Sequence, residues 1–187
     1  GHDVIIHPNV EILGKTVIGD HVEILGGSYL NNAVIKDHVT IDSSKIQDSS
    51  VDEYTTIGPM SHLRNNTHVG KHCRIGNFVE FKNTNFGDGS KCAHLTYVGD
   101  SDVGKNVNFG CGVVTVNYDG KNKFRTTIKD GAFIGSNVNL IAPVTIGENA
   151  LLAAGSTITD DVEDGDMGIA RNRQSNKEGY GTQYKNK

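Results

Sequence analysis

The 187-residue sequence has no tryptophan, three prolines and only 6% aromatic residues. That scarcity argues against a broad core of large rings. Val and Ile are abundant instead, and β-branched residues suit narrow stacks of strands. Long apolar runs are missing too. None approaches the roughly 20 residues that a membrane-spanning helix needs, and no signal-peptide pattern opens the chain. Positive charge is not in excess: the net charge is −4, so no global basic field recruits nucleic acid or membrane. The three cysteines, Cys73, Cys92 and Cys111, form no CxxC pair. An odd number without a secretory signal points to a reducing, cytoplasmic setting. The chain opens on Gly rather than Met, which hints at processing or at a fragment of something longer. Glycine, by contrast, is plentiful, with 23 residues.

The glycines and aliphatics fall in a repeat, which takes precedence in reading a chain. Aliphatic residues recur six apart at Ile6, Ile12, Ile18, Ile24 and Leu30. The rhythm slips by single residues through Ile35, Ile41 and Ile46, and resumes at Ile57, Leu63, Val69, Ile75 and Phe81. Five-residue steps reach Phe86 and Val103; the series closes with Ile128, Ile134, Leu140, Ile146, Leu152 and Ile158. Gly often follows the aliphatic, as at Gly70, Gly76 and Gly135, where a corner needs positive φ or close backbone approach. Four places after the aliphatic stand small or β-branched residues such as Ser61, Cys73, Val79 and Val138. A period of six fits neither an amphipathic helix nor a simple strand. It predicts an all-β, triangular parallel coil of three hexads per turn, stacked at strand spacing. Such hexads resemble the left-handed β-helix family, and that resemblance carries the handedness. The domain reading is a β-helix over 1–164 with an ejected loop at 117–127, then an irregular tail over 165–187.

Function is expected where the repeat is violated. Arg64 and Lys82 take corner positions that elsewhere hold Gly, and lie eighteen apart, one stacked over the other. Two like charges at that spacing repel unless an anion sits between them, and both side chains suit phosphate. Glu80 and Tyr97 gather on the same edge, and Asn117 is expected one coil later. The repeat then breaks over 117–125, where Asp119-Gly120 marks a turn. His94 has a non-core register, and a neutral imidazole there can take a proton near neutral pH. Asn108 lies near the other end of that face. Cys73 and Cys92 fall in inward columns as small hydrophobes, and Cys111 falls outside them. The tail carries Arg171, Arg173, Lys177, Lys185 and Lys187.

Several segments are more specific than the hexads. They are Leu63-Arg64, Asn77-Phe78-Val79-Glu80-Phe81-Lys82, His94-Leu95-Thr96-Tyr97-Val98-Gly99-Asp100 and Asn117-Tyr118-Asp119-Gly120 with Lys123-Phe124. In this order they resemble the acetyltransferase domain of the bacterial bifunctional UDP-N-acetylglucosamine pyrophosphorylase/glucosamine-1-phosphate N-acetyltransferases. The resemblance runs on through Ala142-Pro143-Val144-Thr145 and Ala153-Ala154-Gly155-Ser156 to the tail. It implies acetyl transfer from acetyl-CoA to glucosamine-1-phosphate, with His94 as catalytic base. It implies that Arg64 and Lys82 hold the sugar phosphate, that Tyr97, Asn108, Asn117 and Lys123 line the pocket, and that Ser136, Ala154 and Arg171 meet acetyl-CoA. It further implies a homotrimer with sites between subunits, and no metal in this domain. The family's nucleotidyltransferase domain is absent from this sequence, so no pyrophosphorylase activity is expected of it.

The expected chemistry is direct acyl transfer, in which the substrate amine attacks the thioester and His94 accepts its proton. One difficulty is spatial. The cations and Tyr97 gather at one corner and His94 at the other end of the face, about 10 Å away at about 3.3 Å per residue. Both of two answers are expected to hold: a substrate bridges the distance, and a neighbouring subunit supplies the Lys123 loop or the tail. Three other readings compete. A zinc γ-type carbonic anhydrase would draw ligands from His62, His68, His72 and His94. A non-catalytic assembly β-helix would not bind acetyl-CoA. A related hexapeptide acyltransferase would use another acceptor.

Overall fold

The computed structural model describes residues 1–184; Lys185 and Lys187 of the tail lie outside the described residues. Among the described residues twenty-seven short strands form three parallel sheets of ten, nine and eight strands. Each sheet is one face of a β-helix, and as far as Thr157–Ile158 successive strands go to successive faces. The register is that of the repeat: Ile57 pairs with Ile75 on the first face, Leu63 with Phe81 on the second and Val69 with Phe86 on the third. These aliphatic and aromatic columns point inward and are almost wholly buried. Because each coil is one strand thick, it can bury its apolar side only by stacking on its neighbours.

The structure separates the two functions assigned to corner glycine. Gly76 and Gly135, which follow the inward aliphatic, do not need positive φ. A Cβ on Gly76 would lie 2.1 Å from Ala93 O, and one on Gly135 would lie 2.6 Å from Ala154 N. Close approach of the next coil is what excludes a side chain. Positive φ occurs farther on, three residues after the aliphatic in a six-residue step, at residues such as His21, His72, Asn106 and Asn137. In five-residue steps it comes at the second residue, as at Asn83 and Asp100. Those corners also stack. The rings of His21, His38, Tyr54 and His72 run in series with centroids 4.7, 4.6 and 5.0 Å apart.

The ladder continues past the point where the aliphatic pattern stops. Met167–Gly168 pairs with Leu151–Leu152, and Thr157 N donates to Ala170 O. Gly168 stands in an inward column with no side chain because a Cβ there would meet Leu152 Cδ2 at 2.7 Å and Val162 Cγ2 at 3.0 Å. Neighbouring side chains already fill that space, so the repeat has no aliphatic to show. A short helix, Tyr180–Tyr184, follows.

Candidate active site

The second face carries the cations. Strands His62–Arg64, Glu80–Lys82 and Tyr97–Gly99 pair so that Arg64, Lys82 and Gly99 form one column and His62, Glu80 and Tyr97 another. The stacked cations are not bare. Arg64 Nη2 and Nε donate to Glu80 Oε1 at 2.6 and 2.8 Å. Lys82 Nζ lies 3.3 Å from Asp100 Oδ2 in a pair that is mostly buried. Their repulsion is relieved within the chain: each cation has its own carboxylate, and those pairs hold the charges at one edge.

Asn117 is placed differently from the sequence expectation. Val114, not Asn117, follows Glu80 and Tyr97 in their column. An inward Thr115, which pairs with Leu140, takes the place of an aliphatic and conceals the register there. Asn117 comes three residues after Val114, at the next corner, where its side-chain amide donates to Asp100 Oδ2. Asn83 Nδ2 donates to the other oxygen at 2.6 Å.

The ejected loop returns to this corner within one chain. Phe124 N donates to Asn117 O, and Tyr118 bridges to Lys123. Arg125 clasps Asp102 with Nε and Nη2 at 2.8 and 2.7 Å. It also donates from Nη2 to Ser101 O at 3.0 Å. Lys123, carried by that loop, lies near enough that the Lys82 amine pushes its ammonium below the ordinary lysine range. Burial works against the Lys82 charge, but the Lys123 amine and Asp100 outweigh it and hold Lys82 above that range. Lys123 thus joins Lys82 without a partner subunit.

His94 ends the strand Lys91–His94 on the first face, beside Asn77, and its side chain is exposed. Three residues later Tyr97 opens the second face. His94 and the cations therefore stand at opposite ends of one strand's width, as the register implied. Asn108 lies farther back on the first face, in register with Lys91 and Phe133. A single chain does not bring it to the cation corner.

The His94 corner is itself a column. Gly112 N reaches back to His94 O, Asn137 N donates to Cys111 O at 2.8 Å and Gly155 N to Ser136 O at 2.8 Å. His94, Cys111, Ser136 and Ala154 thus succeed one another, one coil each. Arg171 continues at the same end, with its Cδ 3.8 Å from where a Cβ on Gly155 would lie. Small residues keep this edge low along its length.

The cysteines divide by column. Burial pushes the Cys73 thiol up to about 11 and the Cys92 thiol up to about 12, while Cys111 is exposed. A thiol reagent at pH 8 is accordingly expected to modify one thiol per native chain rapidly and the other two only on unfolding. Rapid modification of two or three in the native protein would contradict this placement.

The four histidines of the zinc reading do not converge. His62 Nε2 meets Gln47 Oε1 at 3.1 Å on the second face, and His68 Nδ1 meets Ser50 Oγ at 2.9 Å on the third. His72 stacks on Tyr54. Among the described residues no group of three or more His, Cys, Asp or Glu side chains is placed to hold a metal ion. Nor, among them, is any helix long and apolar enough to cross a membrane.

Residues 125–160 match the family model of the bacterial transferase hexapeptide (six repeats). The chain is 53% identical over 180 residues to the bifunctional protein GlmU of an Exiguobacterium species, covering 96% of this chain and 40% of the relative. It is 54% identical to the GlmU protein of Shouchella clausii with the same coverage. The chain thus spans about 40% of the length of these relatives. In fold it is similar to a UDP-N-acetylglucosamine acyltransferase from Campylobacter jejuni, with TM-score 0.70, 16% identity, and 88% and 71% of the two chains covered. Its similarity to LpxA from Acinetobacter baumannii gives a TM-score of 0.72 at 14% identity, covering 89% and 71%.

Proposed function

We propose that this chain is the acetyltransferase portion of a GlmU-type bifunctional protein, moving an acetyl group from acetyl-CoA to the amine of glucosamine-1-phosphate. The observation that carries the reading is the pair of edges bounding one strand-wide face. One edge holds Arg64, Lys82 and Lys123. The other runs from His94 past Ser136 and Ala154 to Arg171. A phosphate anchored at the first edge lays a sugar across the face toward the second, where an extended thioester has a shallow track to follow.

In this reading Lys82 and Lys123 bind the phosphate directly, and Arg64 adds charge from its pair with Glu80. Tyr97 and Asn117 line the sugar between the edges. His94 accepts the amine proton as nitrogen attacks the thioester carbonyl, so the C–S bond breaks and the thiolate leaves. No acyl-enzyme forms, because the substrate amine is the nucleophile. Asn108 lies away from its own chain's cation edge, which supports a homotrimer in which sites are completed between subunits. In this reading the protein works in the cytoplasm. Product of this chemistry would feed UDP-N-acetylglucosamine synthesis.

Thiol release from acetyl-CoA should be fastest with glucosamine-1-phosphate, compared with glucosamine and serine. Lys82→Ala should raise the KM for the phosphorylated sugar about ten- to a hundredfold, the usual worth of a charge-assisted hydrogen bond, with kcat much less affected. Equal rates with unphosphorylated glucosamine, or an unchanged KM in the variant, would refute the phosphate assignment.

A further inference from the structure

Asp100 is a buried carboxylate with three donors from two parts of the chain. Its side chain is 7% exposed. Lys82 reaches it from the preceding coil at 3.3 Å, Asn83 from the adjoining corner at 2.6 Å, and Asn117 from the root of the ejected loop. Burial opposes its charge, but these hydrogen bonds outweigh burial and hold the carboxyl below the usual carboxylate range. Beyond this shell, Arg125 is near enough to feel its charge while clasping Asp102. On the side facing solvent, exposed Lys123 is near enough to Lys82 to feel its charge. Tyr97 faces Lys82, and Arg64 with Glu80 lies next in the same strand stack.

Two amines in contact are a poor anion site when left alone, since one of them sheds its proton to relieve the other. We propose that Asp100 is a positioning residue for the phosphate subsite: its buried carboxylate ties Lys82 to the root of the loop and supplies the counter-charge that lets Lys82 and Lys123 face one phosphate as two cations. The inference rests on the acetyltransferase reading given above and deepens it. Asp100 acts through the two lysines and does not itself touch the substrate. Its amide contact through Asn117 also fixes the loop that carries Lys123, so one side chain sets both the charge and the place of the second cation.

The test is the pH dependence of phosphate-site affinity in Asp100→Asn, a nearly isosteric change. The ligand titrates over this range too, because its amine behaves like an α-amino group with a pKa of about 8, so the slope is read as the ratio of variant to parent KM, in which the ligand's own titration cancels. For glucosamine-1-phosphate that ratio should climb about tenfold from pH 7 to 9, as the lysine pair of Asp100→Asn falls from two charges toward one. The same ratio for binding of inorganic phosphate alone should climb alike, and kcat should change much less. A KM change independent of pH would mean a merely structural role and would overturn the proposal.

Lys123→Met in the otherwise intact chain provides a second reading that does not depend on how well Asp100→Asn folds. If Asp100 keeps Lys123 charged, this variant should raise KM about tenfold at pH 8.5; no change there would also overturn the proposal. Failure of the parent to acetylate glucosamine-1-phosphate at all would instead sink the acetyltransferase reading, so the two failures are distinguishable.

Discussion

Replacing His94 by alanine is expected to lower kcat for acetyl transfer by roughly 10²–10⁴-fold, the usual contribution of a positioned general base. The imidazole ends its strand at an exposed corner and fills no part of the core, so the fold should survive the change intact. KM for glucosamine-1-phosphate should move little, because the proposed phosphate site at Lys82 and Lys123 lies at the other edge of the face. A variant that keeps near-parental kcat would remove His94 from the mechanism. A collapse in circular dichroism would mean that its role is structural.

The second large effect concerns the core under the cation edge. Phe81 lies between Glu80 and Lys82 in sequence and is fully buried, its ring 4.8 Å from that of Phe86, which in turn lies 5.8 Å from Phe109. In a chain with 6% aromatics, this inner cluster is a concentrated share of the large side chains. Phe81→Ala should lower unfolding free energy by about 3–5 kcal/mol, because a coil with strand pairs above and below it cannot collapse into the void. Denaturant unfolding at a fixed protein concentration measures it, since association would otherwise shift the midpoint. Phosphate affinity should weaken as well, because the strand bearing Lys82 is the one left unsupported. A loss below about 1 kcal/mol would show that the neighbouring coils close the gap.

Much of this could be read from the order of residues because the fold is nearly one-dimensional. A six-residue period assigns each side chain to a face, and eighteen residues bring it over itself. Arg64 over Lys82 followed from arithmetic, as did the burial of Cys73 and Cys92. What arithmetic misses has three physical causes. Five-residue steps shift the corner: Val51, inward and fully buried, escaped notice at the end of two consecutive ones. Polar residues can occupy inward places, and Thr115 disguised the true register of Asn117. Most of all, a repeat gives the position of Cβ but not the reach of a long side chain. That Lys82 bends to Asp100, that Arg64 folds onto Glu80, and that Arg125 closes the loop onto Asp102 depend on side-chain paths between coils. Asp100 stood in a motif without a role for that reason. The hint available was a carboxylate at a corner one coil beyond a stacked cation pair.

The account stands or falls on the two edges of one face acting as a single site. A crystal structure with coenzyme A and glucosamine-1-phosphate bound tests this most directly. The account predicts phosphate oxygens within hydrogen-bond distance of Lys82 and Lys123, the sugar amine facing His94, and the pantetheine arm passing Ser136 and Ala154 toward Arg171. A phosphate bound away from the lysine pair, or an amine remote from every copy of His94, would contradict it.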